Sequence, residues 1–162
     1  KLRGASRIIV IDGIDERLAI ARQMGADATI NFRNTDVVDE ILRLTGGRGV
    51  DASIEALGTQ ATFEAALRVL KPGGTLSSLG VYSTDLRIPL APFAAGLGDH
   101  RIITSLCPGG KERMRRLMNV IESARVDLAP LVTHHYKLDD IEAAYDLFAH
   151  QRDGVLKVAI TP

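Results

Sequence analysis

Asp12 has the clearest potential for chemistry in this sequence, because it follows directly on an apolar run at residues 8–11. A continuous apolar, β-branched run is typical of a strand that is buried on both faces of a parallel sheet. A carboxylate at the end of such a strand can accept hydrogen bonds from both hydroxyls of an adenosine ribose, and it would repel a 2′-phosphate. Asp12 therefore favours NAD over NADP. The alternative role, an acid that interacts with the dipole of the next helix, can be filled by Asp15 and Glu16 instead.

Two basic residues could contact the same kind of ligand. Arg17 lies in the first turn of the next predicted helix, from which its guanidinium could reach the ribose or lie beside an adenine. The alternative is a solvated surface arginine. Lys157 interrupts the apolar pattern of the last predicted strand, at residues 155–160. It could reach a pyrophosphate, but taken alone it is better explained as a charge that prevents pairing at the edge of a sheet.

Small or glycine residues follow two further predicted strands, where they would let a flat ligand approach the backbone closely. Either segment alone is explained by an ordinary turn between a strand and the next element. Two such segments at corresponding positions favour the floor of a cofactor site. The segments are Ala56, Leu57 and Gly58 after one strand, and Leu79, Gly80 and Val81 after the next.

The cysteine and the histidines do not form a metal-binding pattern. Cys107 has no histidine or second cysteine at ligand spacing, so we interpret it as a small, half-buried residue. The histidines show no H-x-x-x-H or similar spacing; they are His100, His134, His135 and His150. We therefore expect no metal site in this chain.

The composition excludes several classes of function. The chain has 162 residues, 46% of them hydrophobic, with 20 basic and 20 acidic side chains, which suits one globular domain over residues 1–162. Without a basic stripe, nucleic acid is not an expected partner. Without a long apolar run, no membrane span is expected. One cysteine and no recognisable signal peptide indicate a cytoplasmic protein.

The predicted elements alternate between strands and helices, which indicates a doubly wound, mostly parallel α/β sheet. Ligands bind at the carboxyl ends of the strands in such sheets, where the residues named above lie. Residues 1–4 resemble the end of a helix, so we expect at least one strand and one helix upstream. Strands are predicted at 8–11, 28–31, 50–56, 75–79, 86–90, 100–106, 131–136 and 155–160, and helices at 15–24, 36–44, after Thr59, at 111–124 and at 139–149.

Several motifs together resemble the medium-chain zinc-dependent alcohol dehydrogenases. Leu106-Cys107-Pro108-Gly109-Gly110, the most distinctive of them, looks like the branch of bacterial secondary-alcohol dehydrogenases. The others are 7–25, Gly49-Val50-Asp51 with Glu55-Ala56-Leu57-Gly58, Leu70-Lys71-Pro72-Gly73-Gly74, and Leu131-Val132-Thr133-His134. The resemblance implies a Rossmann-like domain that lacks its first strand and glycine-rich turn, with the catalytic zinc domain absent from the chain.

The resemblance also implies roles for individual residues. Asp12 and Arg17 correspond to residues at the adenosine ribose, the two small-residue segments line the nicotinamide half, and the main chain at Ser105 and Cys107 binds the carboxamide. Lys157 corresponds to a basic residue near the pyrophosphate, which reverses the interpretation given above. The predicted cofactor-binding residues are Asp12, Gly13, Arg17, Ala56, Leu57, Gly58, Leu79, Gly80, Val81, Ser105, Cys107 and Lys157.

The activity implied for the intact parent is hydride transfer between NAD and a secondary or small primary alcohol, giving a ketone or aldehyde. Zinc would belong to the parent only, and the chain by itself would contain no catalytic residue and be inactive. NADP is the less favoured cofactor, since NADP-using relatives have Gly-Ser-Arg where this chain has Asp12-Gly13-Ile14. The resemblance further implies a homodimer or homotetramer.

Three other functions remain open from the sequence. One is a zinc-free quinone or enoyl reductase of the same superfamily, and another is a non-catalytic nucleotide-sensing domain. The third is an S-adenosylmethionine methyltransferase, in which segments like Leu70-Lys71-Pro72-Gly73-Gly74 are also common. The methyltransferases end in an antiparallel hairpin, whereas this chain is predicted to end in a helix and one strand.

Overall fold

The structure, a computed structural model, describes residues 1–105 and 109–162. The chain divides into two compact units. The first unit comprises Lys1–Asn34 and Gly110–Pro162, and the second comprises Thr35–Gly109. The prediction made for Cys107 lies outside the described residues.

Strands and α-helices alternate along the chain except between β4 and β5, and every strand pair among the described residues is parallel. The first unit pairs β1 with β2 and β6 with β7, and the second orders its strands β3-β4-β5. The predicted parallel α/β class is therefore confirmed. The elements are β1 (Ile9–Asp12), α1 (Asp15–Gln23), β2 (Ala28–Asn31), α2 (Val37–Leu44), β3 (Val50–Glu55), α3 (Gln60–Arg68), β4 (Leu70–Ser78), β5 (Arg101–Thr104), α4 (Lys111–Glu122), β6 (Val132–Lys137), α5 (Ile141–Ala149) and β7 (Lys157–Thr161).

Side-chain caps fix the start of two helices in the second unit. The carboxylate of Asp36 accepts a hydrogen bond from the Asp39 N–H, and α2 follows. The hydroxyl of Thr59 accepts from the N–H of Thr62, and the Thr62 hydroxyl accepts in return from the Thr59 N–H at the start of α3. Each cap satisfies a backbone N–H that has no partner inside its helix. The helix predicted after Thr59 is confirmed.

Each unit has its own buried apolar residues. In the second unit α3 packs on β3 and β4 through a cluster of Phe63, Leu67, Leu70 and Leu76. In the first unit the buried apolar side chains are Leu18, Ile30, Ala144 and Val155. Helix α4 contributes no buried residue. No helix in the described part of the chain is long and apolar enough to cross a membrane.

The strand predicted at 86–90 is wrong, because this segment has no strand pairing. The side-chain amide of Gln60 takes the place of a strand partner: its Oε1 accepts from the Arg87 N–H at 2.9 Å and its Nε2 donates to the Arg87 carbonyl at 2.8 Å. Pro89, which has no N–H, also disfavours a regular ladder here. The segment therefore forms a loop.

Two strands begin two or more residues away from the predicted start. Strand β4 starts at Leu70 rather than 75, and its pairing with β3 shifts register between Val50 and Ala52. Gly73 and Gly74 therefore lie within an irregular strand. Strand β7 starts at Lys157 rather than 155. The N–H of Val155 donates to the Arg152 carbonyl instead of to a neighbouring strand.

Candidate functional site

Asp12 is the last residue of β1, and its carboxylate is only partly occupied by other groups. Oδ1 accepts a hydrogen bond from the Ile14 N–H at 3.0 Å, which shapes the turn into α1. Oδ2 lies 3.9 Å from Nη1 of Arg17, too far for a hydrogen bond, and 31% of the side chain is exposed. Among the described residues Oδ2 has no hydrogen-bond donor, so this oxygen is available to a ligand.

Arg17 lies beside Asp12 as predicted, but its guanidinium also has a structural contact. Nη2 donates to the main-chain carbonyl of Val155 at 3.0 Å, which joins α1 to the segment before β7. Its Nε is buried without a hydrogen-bond partner. A buried donor without a partner costs free energy, so an acceptor placed next to it would be stabilising. Arg17 is therefore both a structural link and a candidate ligand contact.

A side chain at position 13 would meet neighbouring side chains, whereas the backbone angles of Gly13 do not require a glycine. A Cβ atom at this position would lie 2.5 Å from Cζ of Phe32 and 3.0 Å from Nε of Arg33, both of which follow β2. Residues after β2 therefore cover the turn after Asp12. This follows from the parallel register of the two strands, in which Asp12 lies opposite Asn31.

Glu55, at the end of β3, organises the first small-residue segment in the second unit. Its Oε1 accepts hydrogen bonds from the N–H groups of Leu57 and Gly58 and from the hydroxyl of Thr62, each at 2.8 Å. Its Oε2 accepts from the hydroxyl of Tyr82 at 2.8 Å. The side chain is almost completely buried, with 3% exposed. The buried carboxylate thus holds the loop after β3 in one conformation.

Burial raises the pKa of Glu55, but hydrogen bonds from Gly58, Tyr82, Leu57 and Thr62 together outweigh burial and hold the pKa below its usual range. Glu55 is therefore ionised at neutral pH. Burial, together with the adjacent Glu55 carboxylate, raises the pKa of Tyr82. Tyr82 is therefore neutral, and its hydroxyl donates a hydrogen bond to Glu55. The ring of Tyr82 packs edge-on against Phe63 in the core, with ring centroids 6.2 Å apart.

The two predicted small-residue segments lie against each other. Gly58 has a positive φ of 91°, and a Cβ atom there would overlap the main chain of Val81. A Cβ atom at Gly80 would overlap the Gly58 main chain and Oε2 of Glu55. The side chains of Leu57 and Val81 are exposed, 69% and 83% respectively. The structure therefore brings the segments 56–58 and 79–81 together into one surface.

The remaining predicted contacts are more isolated. Ser105 follows β5 and is exposed. Lys157 is exposed at the start of β7, where its carbonyl accepts from the hydroxyl of Thr133. In residues 1–105 and 109–162, no group of three His, Cys, Asp or Glu side chains could hold a metal ion. We assign no step to zinc on the residues of this chain.

Sequence reasoning did not include Glu55 or Tyr82 among the site residues. Glu55 carried a signal, because a charged residue at the end of a buried strand and next to a glycine-containing loop needs hydrogen-bond donors. Tyr82 carried none, since it is 27 residues away from Glu55 and reaches it only in the folded chain. The network that they form shapes the predicted cofactor floor.

The described strand ends define the class of protein: a parallel α/β domain with an acidic residue after one strand and glycine-lined turns after others. The sequence matches the family described as zinc-binding dehydrogenase over residues 1–123. Since this match covers most of the chain, the chain belongs to that family. Its fold matches the Rossmann-like, dinucleotide-binding domain of alcohol dehydrogenases, so the predicted family and cofactor-binding domain are confirmed.

Individual relatives agree with this assignment. An alcohol dehydrogenase from Cupriavidus necator is 78% identical over 162 residues, 100% of this chain and 44% of that protein. An NADP-dependent isopropanol dehydrogenase from Thermoanaerobacter brockii is 34% identical, with 99% of this chain and 46% of that protein covered. The solved alcohol dehydrogenase TADH from Thermus sp. ATN1 has a TM-score of 0.86 and 29% identity, with 99% and 46% covered. The chain thus spans just under half the length of these relatives.

Proposed function

We propose that this chain binds the cofactor of an NAD-linked alcohol dehydrogenase that acts on secondary or small primary alcohols. The observation that carries the proposal is the position of Asp12 at the carboxyl end of β1, where its side chain is partly exposed and its Oδ2 has no hydrogen-bond donor among the described residues. A carboxylate there can accept hydrogen bonds from ribose hydroxyls. The alcohol dehydrogenase names of the relatives support the reaction class.

The residues of this chain would bind and orient the dinucleotide. Asp12 and Gly13 would receive the adenosine ribose, with Arg17 beside it. The surface formed by 56–58 and 79–81, held by Glu55, would receive the nicotinamide half, with Ser105 and Cys107 at the carboxamide and Lys157 near the pyrophosphate. When bound, the nicotinamide accepts the hydride of the alcohol. The zinc ion of this family would polarise the alcohol from residues outside this chain.

Two further parts of the proposal concern the intact protein. We expect it to form a homodimer or homotetramer, and to work in the cytoplasm, since the chain has one cysteine and no apolar segment of membrane-spanning length. Its partners are then the dinucleotide and a small alcohol with the corresponding ketone or aldehyde. Light scattering of the intact protein tests the oligomeric state.

The cofactor assignment is tested by the affinity of the intact protein for NADH and NADPH, before and after Asp12→Gly. We expect Asp12→Gly to weaken NADH binding by about tenfold, as expected when a hydrogen bond to a charged group is lost, and to improve NADPH binding. Asp39→Asn, which removes an acidic side chain from α2, is the matched control. An unchanged NADH to NADPH preference after Asp12→Gly would remove Asp12 from this role.

A further inference from the structure

Arg33 lies next to the position where a ribose would bind at Asp12. It follows β2, and β1 and β2 are parallel neighbours in register. The Nε of Arg33 lies 3.0 Å from the place that a Cβ atom of Gly13 would occupy. A guanidinium beside Gly13 is therefore one residue away from the carboxylate predicted to hold the ribose. Arg33 was not among the residues that the sequence pattern indicated.

The guanidinium of Arg33 has no hydrogen bond or ion pair in the described part of the chain; only its main-chain N–H is bonded, to the side chain of Asn31. By contrast, the guanidinium of Arg17 donates to a main-chain carbonyl. An unpaired arginine keeps five donors available in a planar fork, which suits bidentate binding of a phosphate. Of the two arginines beside Asp12, Arg33 is thus the one whose guanidinium has no hydrogen bond among the described residues.

Arg33 also lines a cleft beside the turn that follows Asp12. The cleft has a volume of about 490 Å³, and one of its walls is Ile14, whose N–H binds the Asp12 carboxylate. Its charged walls include the acids Glu16 and Asp153, which form no ion pair with Arg33 in the described residues. The remaining lining residues are His150, Gln151 and Gly154. The cleft thus lies next to the turn after Asp12, with Arg33 among its lining residues.

We propose that Arg33 is the specificity-determining residue for the 2′ position of the adenosine, where it would bind a 2′-phosphate. The proposal rests on the function proposed above for Asp12. Asp12 repels a 2′-phosphate, whereas Arg33 attracts it from the neighbouring strand end, so the two charges act in opposite directions on the same group. Position 14, next to this site, is an isoleucine and supplies no charge. Arg33 thereby sets how well NADP is tolerated in a site that prefers NAD.

The test measures the dissociation constants of NADH and NADPH for the intact protein by fluorescence titration. It compares Arg33→Ala with Arg33→Lys, each alone and combined with Asp12→Gly, because we expect NADPH to bind measurably once the opposing carboxylate is removed. In the Asp12→Gly background we expect Arg33→Ala to weaken NADPH about tenfold and NADH less than about twofold, in line with the loss of one charge-assisted contact. Arg33→Lys should restore part of the NADPH affinity.

Arg22→Ala is the matched control, since it removes one positive charge from the last turn of α1, at the other end of that helix from Asp12. It should change neither affinity, which separates a local contact from a change in net charge. Equal losses for NADPH and NADH after Arg33→Ala, or no loss of NADPH, would overturn the proposal while leaving the role of Asp12 intact. If the unmodified protein binds neither dinucleotide, the proposed function fails first.

Discussion

Two strands of the protein, β1 and β3, end in a carboxylate, and the two carboxylates have opposite surroundings. Glu55 is buried and accepts hydrogen bonds from two N–H groups and two hydroxyls. Asp12 is partly exposed, and within the described part of the chain it accepts one hydrogen bond, from the Ile14 N–H. A carboxylate whose oxygens are all occupied shapes the loop around it, whereas one with an unoccupied oxygen can serve a ligand. The same residue chemistry at the same kind of position thus supports two different roles.

The largest expected effect is the difference in the free energy of unfolding that is lost when each of the two carboxylates is removed. Glu55→Ala should lower the free energy of unfolding by about 3 kcal/mol or more, because it leaves several buried donors without an acceptor. Asp12→Ala should cost less than about 1 kcal/mol, since water can replace the carboxylate at a partly exposed site. Urea unfolding of both variants measures the difference.

Glu55→Gln is the control variant that keeps the size and shape of the side chain and removes its charge. The amide oxygen can still accept from Leu57 and Gly58, and Tyr82 can turn its hydroxyl to accept from the amide nitrogen, so we expect a loss of about 1–2 kcal/mol. Equal losses for Glu55→Ala and Asp12→Ala would contradict the distinction between a structural and a ligand-facing carboxylate.

The second prediction compares the loss of stability when a glycine in each of the same two regions is replaced by alanine, and these losses are smaller. Gly58→Ala should destabilise by about 2 kcal/mol, because it combines a positive φ with overlap of the Val81 main chain, which cannot move aside easily. Gly13→Ala meets only the far ends of the exposed Phe32 and Arg33 side chains, which can move aside, so its cost should stay within about 1 kcal/mol.

Thermal unfolding of the two alanine variants measures that difference. Gly73→Ala isolates the contribution of φ, because Gly73 also has a positive φ but a Cβ atom there would meet no atom within 4 Å. We expect its cost to lie between the other two. If Gly58→Ala costs no more than Gly73→Ala, the close approach of 56–58 to 79–81 contributes nothing measurable.

The smallest expected effect is a dependence of stability on pH. The pKa of Glu55 is lowered in the folded protein, so its ionisation stabilises the fold above the pKa of the unfolded chain, about 4.3. This contribution is lost as the pH falls through the lower, folded pKa. The difference in unfolding free energy between the unmodified protein and Glu55→Gln should therefore narrow as the pH falls below about 4. A difference that stays constant down to pH 2 would show that the charge of Glu55 contributes nothing.

Most of the regular elements could be predicted from the sequence. The bounds of β2 were predicted as observed, and α1 ends one residue earlier than predicted, because apolar spacing and the following glycine are local signals. The strand predicted at 86–90 failed because an apolar pattern does not reveal whether a neighbouring strand is available. There the side chain of Gln60, rather than a neighbouring strand, forms hydrogen bonds with the main chain of Arg87.

The site was predicted unevenly for the same reason. The ends of β1, β3 and β4 were located, and with them the predicted contacts at Asp12, 56–58 and 79–81, because these lie next to the strands in sequence. The residues from other parts of the chain that lie against these strand ends were not predicted. Tyr82 reaches Glu55 and Arg33 reaches Gly13 through contacts that no spacing pattern contains.

The sequence alone determined most of the order of strands and helices, the family, and within about one residue the ends of the strands that carry the candidate site, because each depends on short-range patterns along the chain. Only the tertiary structure decided which carboxylate is buried and which is available to a ligand, and that Arg17 rather than Arg33 has a guanidinium hydrogen bond among the described residues. Burial and hydrogen-bond saturation depend on groups that are distant in sequence and meet only when the chain folds.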